Sequence, residues 1–178
     1  MSSQGRMALT RKSIFAQSWP IMLANAAAPI VGLVDTFVIG RYSSTAALAG
    51  IGLGAVIYGI AYWGFGFLRM STAGLAAQSD GANDQMSVQA HLFRAIPLGL
   101  LIGTIIFLSQ TFLLSGAFKI FTASTSIESS AAMYIKARLW GLPATLGSIA
   151  LMGWFVGISR SQLALKMQLI LNLSLIHI

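Results

Sequence analysis

The chain has 178 residues, of which 11 are Lys or Arg and 4 are Asp or Glu, for a formal net charge of +7. Only 8% are charged and 56% are hydrophobic, against about 25% charged in an ordinary soluble domain, which excludes a water-soluble globule and, with 4 prolines, a disordered chain. Cysteine is absent, which removes disulfide scaffolds, thiolate metal sites and Cys nucleophiles; the basic residues stand singly between apolar runs, as in membrane-protein loops, and do not form a nucleic-acid surface.

A membrane-crossing helix needs about 20 mostly apolar residues. Residues 1–12 read as a cytoplasmic tail, and 6–18 (RMALTRKSIFAQS) as a short amphipathic lead-in on the membrane surface. The first span runs from Ile14 to Gly40, with Asp35 as its only charge. Pro20 and Pro29 interrupt it. Each removes a backbone donor and clashes with the preceding turn, so each marks a kink or hinge; Pro29 leaves the carbonyl of Asn25 without its usual partner. Asp35 is the only acid within an apolar core. A carboxylate at a helix centre costs about 2.5–3.5 kcal/mol on insertion scales, and one that gives up hydration can trade a proton or a cation. It shares a stripe with Gly32, Ala28 and Ala24, so it faces a cavity or a close-packed helix, or else it lies near enough to the outer end to reach interfacial water.

Arg41 to Thr45 joins the first span to the second, whose uncharged core is Ala46 to Leu68 and which continues past Arg69 towards Gln78. Ala46, Gly50 and Gly54, four residues apart, let helices approach closely in lipid. Gly50, Gly52 and Gly54 do not fit a G-x-G-x-x-G phosphate loop, and no strand precedes them. Tyr62, Trp63, Phe65 and Phe67 read as lipid- or bundle-facing, with an aromatic cage for organic cations as the alternative. Ser79 to His91 is a polar loop holding Asp80, Asp84 and the helix-stopping Gly81. The third span is Ala95 to Leu114, with Gly99 and Gly103 repeating the small-residue spacing. A Ser/Thr-rich loop covers Ser115 to Ser130. The fourth core is Leu139 to Ile158, entered through an amphipathic turn with Lys136 and Arg138, and it carries Gly153 and Gly157. Ser159 to Gln162 is tight. A fifth apolar run starts near Leu163.

The loops alternate sides. A cytoplasmic N-terminus puts Arg6, Arg11, Lys12, Arg69, Arg94, Arg160 and Lys166 inside and Arg41, Lys119, Lys136 and Arg138 outside, the asymmetry of the positive-inside rule. Catalytic and metal sites are not expected. His91 in a polar loop, His177 and one intramembrane acid do not make a nucleophile–base pair or a ligand set, and DGANDQ does not fit a calcium loop.

Three stretches carry a family likeness: WPIMLANAAAPIVGLVDTFVIG in the first span, FLRMSTAGLAAQ at 67–78, and Y-I-K-A-R-L-W-G-L-P-A…G-W-F-V-G at 134–157. Together they resemble the multidrug and toxic compound extrusion family, and within it the branch named for DNA-damage-inducible protein F, over residues 13–172. The resemblance implies an all-α integral membrane fold. Four complete transmembrane helices and the start of a fifth would form part of the six-helix N-terminal lobe of a twelve-helix transporter. It implies a multi-pass protein of the inner membrane that exchanges H⁺ or Na⁺ for cationic or amphipathic drugs, with no cofactor. Its partners would be the lipid bilayer, the small-molecule drug and the C-terminal part of its own chain. Asp35 matches the acid on the family's first helix that takes part in ion coupling. Asn172 matches an Asn one turn before a usual ion-site residue on the fifth helix, and no ligand role is carried to it.

At 173–178 the likeness stops at one sharp point. LSLIHI is what a frame running through a transposon sequencing adapter would encode, and we expect this tail to be non-native and the chain to be a fragment. The competing readings are a small four-helix membrane protein that packs with a partner and transports nothing, and a small dimeric multidrug transporter. An intramembrane enzyme is weakest, since no catalytic pair exists.

Overall fold

The computed structural model describes residues 44–176 without interruption, the last six as backbone alone, together with 11, 14–16, 18–23, 26, 33, 37, 40 and 41. Asp35 and Pro29 lie outside the described residues, as do His177 and nearly all of the expected tail at 1–12. Every regular element among the described residues is helical. In chain order after residue 44 they are α1 (Thr45–Trp63), α2 (Gly66–Gly81), α3 (Gln85–Leu108), α4 (Gln110–Ile120), α5 (Thr125–Trp140), α6 (Leu142–Gly157) and α7 (Ser161–Ile176).

Two stretches are long and apolar enough to cross a membrane, Thr45–Gly81 and Gln85–Leu108. A third candidate is the pair Thr125–Trp140 and Leu142–Gly157, bent by 54°. The expected first span falls largely on residues outside those described.

The ends of the helices follow local chemistry. Ser44 precedes α1 in extended geometry, and its hydroxyl accepts from Ala47 N–H at 3.3 Å, the N-cap bond that satisfies an otherwise free donor. Asp84 does the same for α3. Its carboxylate accepts from the Ser87 hydroxyl at 2.6 Å and from Ser87 N–H at 3.0 Å, and these two bonds hold its pKa below the usual carboxylate value. The cap corrects the expected loop. Helix α3 starts at Gln85, so the connection shrinks from Ser79–His91 to three residues, and His91 sits on the helix with Nε2 3.1 Å from the Ser79 hydroxyl. The Ser115–Ser130 loop is corrected likewise, to Phe121–Ser124, because α4 carries the chain to Ile120 and α5 begins at Thr125, where Glu128 accepts from Ala123 N–H at 3.1 Å. Polar residues here lie on exposed helical turns, which composition alone reads as loop.

Each long path is also broken once. Between α1 and α2 the hydrogen bonds tighten to Phe65 N–H→Tyr62 O and Leu68 N–H→Phe65 O, both 3.0 Å, a 3₁₀-type step. Between α5 and α6 the break is Gly141, followed by Pro143 in the first turn of α6. Pro143 has no N–H to give the Leu139 carbonyl and cannot continue the helix. Ser109 separates α3 from α4. The rings of Phe107 and Trp140, 5.0 Å apart, tie the last two breaks together. Pro97 lies inside α3.

Helix direction follows from the glycines. Gly50 faces Ile127 and Ser130, and Gly54 faces Ala131 and Tyr134; further along, Gly153 faces Arg69 and Gly157 faces Ala73 and Ala76. The α1–α2 path and the α5–α6 path therefore run parallel. Helix α3 runs against both: Gly99 meets Leu146 and Gly103 meets Pro143, while Trp154 Nε1–H donates to Val88 O at 2.8 Å near the other end. The α2–α3 and α6–α7 turns thus share one end of the bundle, and the α4–α5 turn lies at the other with the start of α1. The core between them is Leu68, Leu114, Ile135, Leu139, Leu142, Leu146 and Ile149. Outside it, Trp63, Leu101, Leu108 and Phe112 are among many large apolar side chains left exposed, a surface suited to lipid or to further helices.

Candidate functional site

A partly open apolar cavity of about 250 Å³ lies among the described residues at the level of the three breaks. It is lined by Tyr58, Tyr62 and Phe65 at the end of α1, by Leu114 of α4, and by Ile135 and Leu139 of α5, with others. Its existence follows from the breaks. At Gly141 the α5–α6 path bends, and at Ser109 the α3–α4 path restarts, so side chains that would otherwise interdigitate stand apart.

A charged residue, itself exposed and not part of this lining, stands against Tyr58, which belongs to it. The Arg138 guanidinium carbon lies 4.9 Å from the centroid of the Tyr58 ring and 5.7 Å from that of Tyr134. Both distances are within the reach of cation–π attraction. Tyr134 and Arg138 are one helical turn apart on α5, and Tyr58 reaches them from α1 because the two helices run parallel. Tyr58 and Tyr62 stack with centroids 6.2 Å apart. In the sequence Arg138 falls in the amphipathic turn that enters the fourth span, where no role is expected for it. The available signal was the tyrosine four residues before it.

The residues singled out from sequence fall in three groups. Asp35 and Pro29 lie outside the described residues. Pro20 is fully buried among helical residues 18–23. The third group stands at helix crossings. A Cβ built at Gly54 would lie 2.9 Å from Tyr134 Cδ1, at Gly99 2.8 Å from Leu146 O, and at Gly103 2.5 Å from Pro143 Cα; at Gly50 it would collide with Ser130 Cβ. Gly52, by contrast, has nothing within 4 Å. Of the four aromatics considered for a cage, Tyr62 and Phe65 line the cavity, whereas Trp63 and Phe67 are exposed. No group of metal-ligating side chains occurs among the described residues.

Residues 20–178 match the MatE family model. The chain is 32% identical over 151 residues to DNA damage-inducible protein F of Escherichia coli (strain K12), covering 85% of this chain and 33% of that protein. It is 31% identical over 143 residues to the probable multidrug resistance protein NorM of Pasteurella multocida (strain Pm70), covering 76% and 29%. It is 29% identical over 157 residues to the chloroplastic protein DETOXIFICATION 47 of Arabidopsis thaliana, covering 87% and 29%. The chain thus spans about a third of the length of the curated relatives it matches. No solved structure matches it.

Proposed function

The chain belongs to the MatE family, and from that premise we propose that it is the N-terminal portion of a multidrug efflux antiporter in the inner membrane, driven by H⁺ or Na⁺. The observation that carries the reading is the family match over residues 20–178; a relative named for multidrug resistance supports the substrate class. The protein is a transporter and not an enzyme. In this reading α1–α6 are three of the six helices of an N-terminal lobe, and a second lobe completes a twelve-helix protein. Ion binding or protonation at Asp35 changes the bend of the first helix at Pro20 and Pro29, and the drug is released outward by alternating access. Asp35 can serve in this way because a lone carboxylate in an apolar span changes its interactions sharply when it gains or loses charge.

The complete protein in proteoliposomes should move a cationic amphipathic dye when an H⁺ or Na⁺ gradient is imposed and stop when the gradient is collapsed. Dye movement indifferent to both gradients would overturn the antiporter reading.

Orientation is tested separately. With Arg138 set aside because it stands against Tyr58 within the span, the basic residues divide seven to three, which favours the α2–α3 turn inside and the α4–α5 turn outside. Cysteine introduced at Ser124 should react with an impermeant thiol reagent on whole cells, and one at Ser87 should not. The chain has no Cys of its own, so the background is clean. Labelling of the Ser87 site alone would invert the topology.

A further inference from the structure

We propose that Arg138 and the apolar cavity beside it form a binding site for an amphipathic anion, the acidic head at the guanidinium and the apolar tail between α1, α4 and α5. This extends the efflux reading to a ligand of opposite charge from the cations expected for it, and it is tested by binding alone, so the two can fail separately.

The first support is depth. Helix α1 carries no charged residue, and Arg138 stands against Tyr58, well inside that helix. An arginine level with an uncharged span is rare and marks a ligand or ion pathway. The second is that no counter-charge stands beside it among the described residues, which do not include Asp35. Among the described residues the acids are Asp80, Asp84 and Glu128. Asp80 and Asp84 lie at the α2–α3 end of the bundle. Glu128 is in the first turn of α5, held by Ala123 N–H, well over two helical turns from Arg138. The tyrosine rings orient the guanidinium and attract it, but a ring quadrupole leaves the positive charge in place.

The third support is chemical fit. A guanidinium offers a planar fork of donors that suits carboxylate, sulfonate or phosphate oxygens. Tyr58 is at once its stacking partner and a wall of the cavity, and Ile135 and Leu139, its neighbours on α5, line the same space. At about 250 Å³ the cavity takes a fused aromatic ring or a short run of acyl chain. The positive charge of Arg138, held against the Tyr58 wall of the cavity, disfavours a cationic head at this place. A lipid headgroup and a soluble organic anion share this chemistry.

The test uses the complete protein in phosphatidylcholine nanodiscs, with empty discs as the background. The probes are 8-anilinonaphthalene-1-sulfonate and a cationic styrylpyridinium dye of similar size. Arg138→Gln should weaken binding of the sulfonate about tenfold or more and leave the cationic dye unchanged or tighter, while Arg138→Lys keeps an intermediate affinity for the sulfonate. Ala117→Trp, which fills the cavity from α4, should weaken the sulfonate while Arg138 is intact. Added phosphatidylglycerol that displaces the sulfonate identifies an anionic lipid as an occupant; failure to displace it, with the other results as expected, identifies a soluble anion. The proposal is overturned if Arg138→Gln changes both probes equally or neither. It is also overturned if Ala117→Trp leaves sulfonate affinity unchanged, a result that stands even if Arg138→Gln does not fold.

Discussion

Asp35→Asn in the complete protein is expected to abolish ion-driven efflux while leaving membrane insertion intact. Asparagine keeps the shape and polarity of the side chain but cannot change its charge, so the driving ion loses its point of purchase. Insertion should if anything improve, because the carboxylate is costly in hydrocarbon and its amide is less so. Drug binding measured without a gradient should stay within about twofold, since the substitution removes the coupling step and not the cavity. Asp35→Glu, which keeps the charge on a longer stem, should retain partial transport. The measurement is gradient-driven dye movement in proteoliposomes set beside equilibrium binding of the same dye. Normal transport by Asp35→Asn would make this residue a polar packing group and would require another coupling site.

The second large effect is steric. Gly103→Ala adds a Cβ that would lie 2.5 Å from Pro143 Cα and 2.8 Å from Pro143 N. Both are backbone atoms, so no side chain can swing aside, and α3 must move off α6. Overpacking of this kind costs about 1–3 kcal/mol, and for a domain of this size each kcal/mol lowers Tm by about 2–4 °C. Gly153→Ala, facing the Arg69 carbonyl at 2.5 Å, should behave alike. Gly52→Ala is the matched control. Nothing lies within 4 Å of its added carbon, and in a helix interior alanine gains about 0.5–1 kcal/mol over glycine. Thermal unfolding of the purified variants should therefore shift in opposite directions. Equal shifts for Gly103→Ala and Gly52→Ala would contradict the close α3–α6 crossing.

Hydropathy locates apolar runs well because lipid sets a length requirement that any sequence must meet. The helical second and third spans, and the stop at Gly81, were accessible on that basis. The breaks were not. Ser109 opens the polar triplet Ser109–Gln110–Thr111 inside the apolar run LLIGTIIFLSQTFLLSG, and three uncharged polar residues are too few to interrupt the hydropathy of a span-length window. The polar stretches failed in the opposite sense: Gln85–His91 and Thr125–Ser130 read as loop because they are polar, yet Asp84 starts a helix in one case, and in the other Ser124 is extended ahead of α5 with Glu128 bonded back to Ala123 N–H. The Arg138–Tyr58 contact was beyond reach for a different reason. It depends on α1 and α5 running parallel and in register, a fact of packing between segments far apart in the chain. Asp35 is expected from the sequence as an intramembrane acid, and it lies outside the described residues.

The parallel pairing of α1 with α5 has a consequence for biosynthesis. About 80 residues of chain separate Gly50 from the Ser130 it faces, and the path between them turns back once through α3. At roughly 5–20 residues per second of translation, α1 leaves the ribosome about 4–16 s before its partner exists. The α2–α3 hairpin has no such wait, since Ser79 and His91 are 12 residues apart. During that interval the small-residue stripe of α1 faces lipid or an insertion chaperone, and a substitution there that gives it another partner would be felt as misassembly before it was felt as lost stability.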